Sequence, residues 1–231
     1  INIMFKMGLH NLRRLRNVRP IELKPITVLV GRNSSGKSSF LRALPLLRQS
    51  ITTRTSSPIL WYGEFVDFDN FDSAVFGQRI NETIDFSFGL DQFQIDRFAY
   101  IDDDGAYVMH DEASLRDLEV IISIQRHNKG TRVSRLKLRE KENKAQIDLE
   151  IDEFGNVSKA RVDDRLVDLE VLDSTLRISQ DSILPTMGWR PKTENLSPSD
   201  LLRIRSPTTA VQRRIESIVE SHFDKRSTKR S

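Results

Sequence analysis

The chain has 231 residues, 38% of them hydrophobic and 30% charged, and no cysteine. That is enough apolar material for one sizeable core or two small ones; no apolar run approaches the ~18 residues of a membrane-spanning helix, and there is no thiol to build a disulfide framework, so a soluble, cytoplasmic protein is expected. The net charge of +3 hides a division, because residues 1–60 hold eleven Lys or Arg against the single acid Glu22, or +10, while the remainder carries −7. A polyanion is therefore expected at the N-terminal part. The first residue is Ile1 rather than methionine, which suggests trimming at that end.

In chain order, Met4 to Leu12 and Val18 to Leu23 alternate as strands on either side of a basic turn. Ile26 to Val30 is a continuous β-branched run and predicts a strand covered on both faces of a sheet. A glycine-rich loop follows, and then Phe40, Leu41, Leu44 and Leu47 fall on one face of a helix. Pro45 lies inside that helix, so a kink, or a break near Leu44, is expected. Thr52 to Pro58 reads as a loop, and the aromatic stretch Trp61 to Phe76 has no clear period.

Short alternating runs then predict an antiparallel meander: Ile84 to Leu90, Gln94 to Ile101, Ala106 to Met109, Val120 to Gln125, Val133 to Arg139, Ala145 to Ile151 and Val157 to Val162. Turn chemistry at Asp102 to Gly105, Asn128 to Gly130 and Asp152 to Asn156 separates several of them. Pro191 to Pro207 reads as loop with a short helical piece. Thr208 to Phe223 places Val211, Ile215, Ile218, Val219 and Phe223 near one helical face ahead of a basic tail. Three parts are expected: 1–60, a hairpin with the loop and its helix; 61–175, mainly antiparallel β; and 176–231, loop and helix.

Residues 31–38 read GRNSSGKS, a full match to G-x-x-x-x-G-K-[ST] between a strand pattern and a helix pattern. Composition alone would give this match in about one random chain of this size in a hundred. The spacing follows from the ligand. A phosphate chain must be met by inward-facing backbone N–H groups, which Gly31 and Gly36 permit, and by the positive end of a helix. Lys37 then reaches the β- and γ-phosphates as the candidate catalytic residue, and the Ser38 hydroxyl suits Mg2+. Asn33, Ser34, Ser35 and Ser39 complete the nucleotide-binding set for ATP or GTP.

Three stretches resemble a family. They are GLHNLRRLRNVRPIEL at residues 8–23, ITVLVGRNSSGKSSFLRALPLL at 26–47 and WYGEFVDFDNFDSAVF at 61–76. They are similar to ABC-type ATPases of the RecF, SMC and OLD group within the AAA ATPases, including PtuA-like ATPases of bacterial antiphage systems of the Septu or retron-associated kind. The resemblance implies an α/β P-loop NTPase: an ABC-type ATPase lobe with an antiparallel β-meander region and a helical C-terminal segment, expected to be an incomplete head. It also implies a nucleotide-contacting arginine at Arg13, with Arg14 the neighbouring choice, although this chain has Leu12 where the family places an aromatic residue.

A complete ATPase of this type further needs a Walker B strand ending in Asp-Glu and a signature helix, and neither is legible. Phe98 to Asp103 reads as a hairpin, and Leu196-Ser197 lacks the glycines of a signature motif. The chain is thus expected to be the front part of a longer polypeptide. His10, His110, His127 and His222 lack metal-ligand spacing, and Gln49 and Gln180 are candidates for sensing water or magnesium.

The function implied is ATP binding and hydrolysis by a subunit that dimerises through nucleotide and controls an effector such as a nuclease or toxin in prokaryotic antiviral defence. Nucleic acid is a further possible partner and no membrane is expected. A DNA-maintenance ATPase and a nucleotide-gated scaffold with little turnover stand as alternatives.

Overall fold

The computed structural model describes residues 4–53, 55–91, 93–95, 98–101, 107–110, 113–115, 117–128, 130–141, 145–169, 174–185 and 187–191. β1 (Met4–Leu12) and β2 (Leu15–Leu23) form a hairpin, followed by helix α1 (Lys37–Thr52) and the single helical turn α2 (Phe71–Ala74). Next come β3 (Ile84–Asp91), β4 (Phe93–Ile95), β5 (Phe98–Ile101), β6 (Tyr107–His110), β7 (Ala113–Leu115), β8 (Leu118–His127) and β9 (Gly130–Glu140). The series ends with β10 (Ala145–Ile151), β11 (Val157–Val162), β12 (Arg165–Val167), β13 (Ser174–Ile178) and β14 (Met187–Pro191).

Eight of these strands make one antiparallel sheet in the order β12-β11-β10-β9-β8-β3-β1-β2. The register explains why. One row of partners runs Val18–Leu9–Phe86–Ile122–Leu136–Leu149–Ala160–Val167, apolar from edge to edge. A slip of one residue in any strand would send its apolar set to the other face. Helix α1 turns Phe40, Ala43, Leu46 and Leu47 into the same core, and the segment after it adds Ile59, Trp61, Val66, Phe68, Phe71, Ala74 and Val75. The hairpin of β13 and β14 brings in Leu176 and Ile178.

The opposite face of the sheet is laced with charge. Asp148, only 5% exposed, accepts from Arg135 Nε at 2.6 Å and lies 3.6 Å from Lys137 Nζ. Glu150 meets Arg161 and Lys159 one step along.

Two expectations are corrected. Ile26 to Val30 is not a strand: among the described residues nothing pairs with it, and Ile26, Val28 and Val30 are 85%, 76% and 87% exposed. The composition of a fully covered strand is present, but a strand exists only where a neighbour takes up its backbone groups. Helix α1 also continues through Pro45 without the break near Leu44. The carbonyl that Pro45 leaves without its N–H partner belongs to Leu41, on the exposed side of the helix, where water can serve it.

The run expected from Gln94 to Ile101 is divided between β4, which pairs with β7, and β5, which pairs with β6. The latter pairing agrees with the hairpin reading of Phe98 to Asp103. The helical pattern at 208–223 and the basic tail lie outside the described residues, as does His222. No helix among the described residues is long and apolar enough to cross a membrane.

The Asp148 carboxyl carries a testable consequence. Burial opposes its charge, but hydrogen bonding from Arg135 and the nearby Lys137 ammonium outweigh it and hold the carboxyl below the ordinary 3.8. A depressed folded value contributes stability that is present above the unfolded value and lost as the pH falls through the folded one. Asp148→Asn should lower stability by about 1–2 kcal/mol at neutral pH. In urea melts it should also flatten the loss of stability below pH 4 relative to the unmodified protein.

Candidate functional site

The glycine-rich segment links Ile26–Val30 to α1 by an exposed loop. Gly36 is the N-cap of α1 at φ 94°, a left-handed conformation that favours glycine. A Cβ there would also fall 2.3 Å from Leu15 Cδ2, at the start of β2. The helix thus begins hard against the β1–β2 hairpin, and the hairpin turn bearing Arg13 and Arg14 shares a corner with the loop.

Lys37 turns back over the loop rather than outward. Its Nζ donates to the carbonyls of Gly31 and Arg32, each at 2.7 Å, with Ser35 Oγ at 3.5 Å. The ammonium is therefore held over the loop by backbone oxygens. No side chain caps the first turn of α1, and that turn contains no acid. Its free N–H groups and the positive end of the helix dipole face outward without an internal anion, which is the electrostatic condition for binding a phosphate. Ser38 is exposed beside them, Ser39 is half-buried, and Asn33 and Ser34 are exposed in the loop, Ser34 with φ 64°.

Arg13 also has a left-handed backbone, φ 54°, and its N–H donates to Ala74 O at 2.6 Å. The guanidinium lies 5.2 Å from the centroid of the Phe68 ring. Arg14 is exposed.

For magnesium, the donor set fits in part. The exposed Ser38 hydroxyl beside the Lys37 ammonium can supply one oxygen ligand, with phosphate oxygens as the natural others. Among the described residues no group of three or more His, Cys, Asp or Glu could hold a metal ion by itself.

The two glutamines are corrected. Gln49 is 1% exposed and its amide is used up within the fold. It donates to Leu60 O (2.6 Å) and Val66 O (3.1 Å) and accepts from the N–H groups of Phe65 and Val66. Gln180 accepts from Val133 N–H at 2.7 Å. Both tie backbone together, and Gln49 has no amide group left for water or a cation. This gives the aromatic stretch at 61–76 its explanation. It is a strap clamped by Gln49, seated by Trp61 and Phe71 packed edge to face, and turned into α2 by Asn70, whose side chain accepts from Ser73 N–H.

Sequence reasoning missed Phe68 and Arg42. Arg42 lies four residues after Ser38, on the same helical face, so its position was readable from the periodicity. The ring it stacks on was not, because that contact is made across the fold.

A family model of the AAA ATPase domain matches residues 4–226. No curated protein and no solved structure matches the chain.

Two substitutions check this geometry. Gly36→Ala should abolish any phosphate binding by the loop, because the new methyl group collides with Leu15 and strains the cap; equilibrium dialysis against labelled nucleotide measures it. Gln49→Leu leaves several buried backbone groups of the strap without partners, and should cost about 2–4 kcal/mol in denaturant unfolding.

Proposed function

The chain belongs to the AAA ATPase domain family, and we propose that it binds ATP across the 31–39 loop and takes part in ATP hydrolysis as the P-loop side of an ABC-type site. The observation that carries this reading is the Lys37 ammonium folded over the loop, 2.7 Å from two loop carbonyls, beside an α1 N-terminus with no acid of its own. When triphosphate is bound, the first-turn N–H groups and Lys37 meet its β- and γ-oxygens. The ammonium exchanges carbonyl partners for phosphate oxygens.

In hydrolysis a water oxygen bonds to the γ-phosphorus while the bond to the bridging β–γ oxygen breaks, giving ADP and phosphate. Lys37 balances the negative charge that grows on the transferring group and on the ADP oxygens. Magnesium bound by Ser38 would supply further charge neutralisation. Neither an acid that orients the water nor a segment that caps the nucleotide is assigned among the described residues.

The three stretches similar to RecF, SMC, OLD and PtuA-like ATPases support the finer reading. On it the protein is a cytoplasmic subunit that self-associates through its ATPase head and controls an effector in antiviral defence, with Arg13 touching the nucleotide. One observation favours the DNA-maintenance alternative: Arg14, Arg16 and Arg19 are all exposed on or beside the edge strand β2, where they could follow a duplex backbone.

The test is isothermal titration of the full chain with ATP and with GTP in magnesium buffer, beside Lys37→Ala. ATP should bind, and Lys37→Ala should weaken it by at least about tenfold, in line with the loss of a charge-assisted contact. A wild-type chain that takes up neither nucleotide overturns the reading. Turnover stimulated by duplex DNA would favour the maintenance role, and tight binding without turnover the scaffold.

A further inference from the structure

We propose that Phe68 is a positioning residue, a ring bearing the guanidinium groups of both Arg42 and Arg13, which holds Arg13 in place for the triphosphate. The inference rests on the nucleotide reading above and goes beyond it by assigning a role to the strap.

Phe68 is 1% exposed, with Arg13 Cζ 5.2 Å and Arg42 Cζ 5.0 Å from its centroid. The ring is itself well anchored. Its N–H donates to Trp61 O at 2.8 Å, its carbonyl accepts from Asn70 N–H at 3.0 Å, and Gln49 fixes the preceding loop. Arg42 is tied to the same strap through a hydrogen bond to Asp67 O, and Arg13 through its own N–H to Ala74 O. Two cations are thus set on one buried ring by independent backbone anchors.

The charges on this cluster are what point to an anion. Among the described residues neither Arg13 nor Arg42 makes an ion pair, although acids are near in sequence. Asp67 Oδ1 is engaged by Asp69 N–H at 2.6 Å, and Asp69 Oδ2 by Asn70 Nδ2 and Ser73 Oγ. Asp67 and Asp69 are thus engaged in turns and Asp72 pairs with Arg126, which leaves the two guanidiniums to the ring, whose face attracts them without neutralising them. Both arginines also belong to the corner built around Gly36, Arg13 through the hairpin turn that ends at Leu15, and Arg42 one helical turn beyond Ser38. A guanidinium preset in this way loses little side-chain freedom when phosphate arrives.

The experiment is a double-mutant cycle on the full chain, with ATP affinity measured by titration calorimetry and folding by thermal melts. Arg13→Ala and Phe68→Leu should each weaken ATP binding, Phe68→Leu by about fivefold, the scale of a partly desolvated cation–π contact. The double variant should be no weaker than Arg13→Ala alone, since Phe68 acts only through that arginine. Additive losses, or an unchanged affinity in folded Phe68→Leu, overturn the proposal.

Should Phe68→Leu fail to fold, Phe68→Met replaces it in the cycle, with the same non-additivity expected and the same additive or null result overturning the proposal. If ATP binds but Arg13→Ala leaves its affinity unchanged, the positioning role falls while the loop reading stands. If the wild-type chain binds no ATP, both fall.

Discussion

The contact between Leu15 and Gly36 is the constraint on which the rest of the site depends. A leucine at the start of β2 occupies the space that any side chain at Gly36 would need, and the φ of 94° there turns the loop into the first turn of α1. The consequence is geometric. The helix N-terminus, the loop over which Lys37 folds and the hairpin turn carrying Arg13 are brought to one corner, although their residues are spread over the first forty positions. Behind that corner, Phe40, Ala43, Leu46 and Leu47 of α1 join the core that the sheet also lines.

The strap from Ile59 to Val75 shows how a segment without helical or strand period can still be strongly specified. Trp61, Phe68 and Phe71 are core, Asn70 is a helix cap, Asp67 and Asp69 close turns, and Asp72 pairs with Arg126. Gln49 fastens it to α1 with both ends of one amide. A buried amide that satisfies four backbone contacts is a structural clamp, because any change to it strands polar groups in the interior.

The exposed run at Ile26, Val28 and Val30 is the place where the described fold is least at ease with its own composition. Burying a β-branched side chain of this kind is worth about 1.5–3 kcal/mol. These three side chains, aligned two residues apart, forgo that in water, while Leu29 between them packs against the core. The segment leads directly into the glycine-rich loop.

The sequence by itself determined the local structure: the glycine-rich loop, the helix that follows it and the antiparallel meander were readable from spacing. They were readable because strand period, turn residues and the loop glycines act over a few neighbours. Only the tertiary structure decided what Gln49, Gln180, Phe68 and Arg42 do, and that Ile26 to Val30 has no strand beside it. Each of those outcomes is fixed by atoms distant in sequence, such as a backbone carbonyl across the fold, a ring packed against two arginines, or a neighbouring strand that is present or not. A pattern of side-chain types carries no information about such partners.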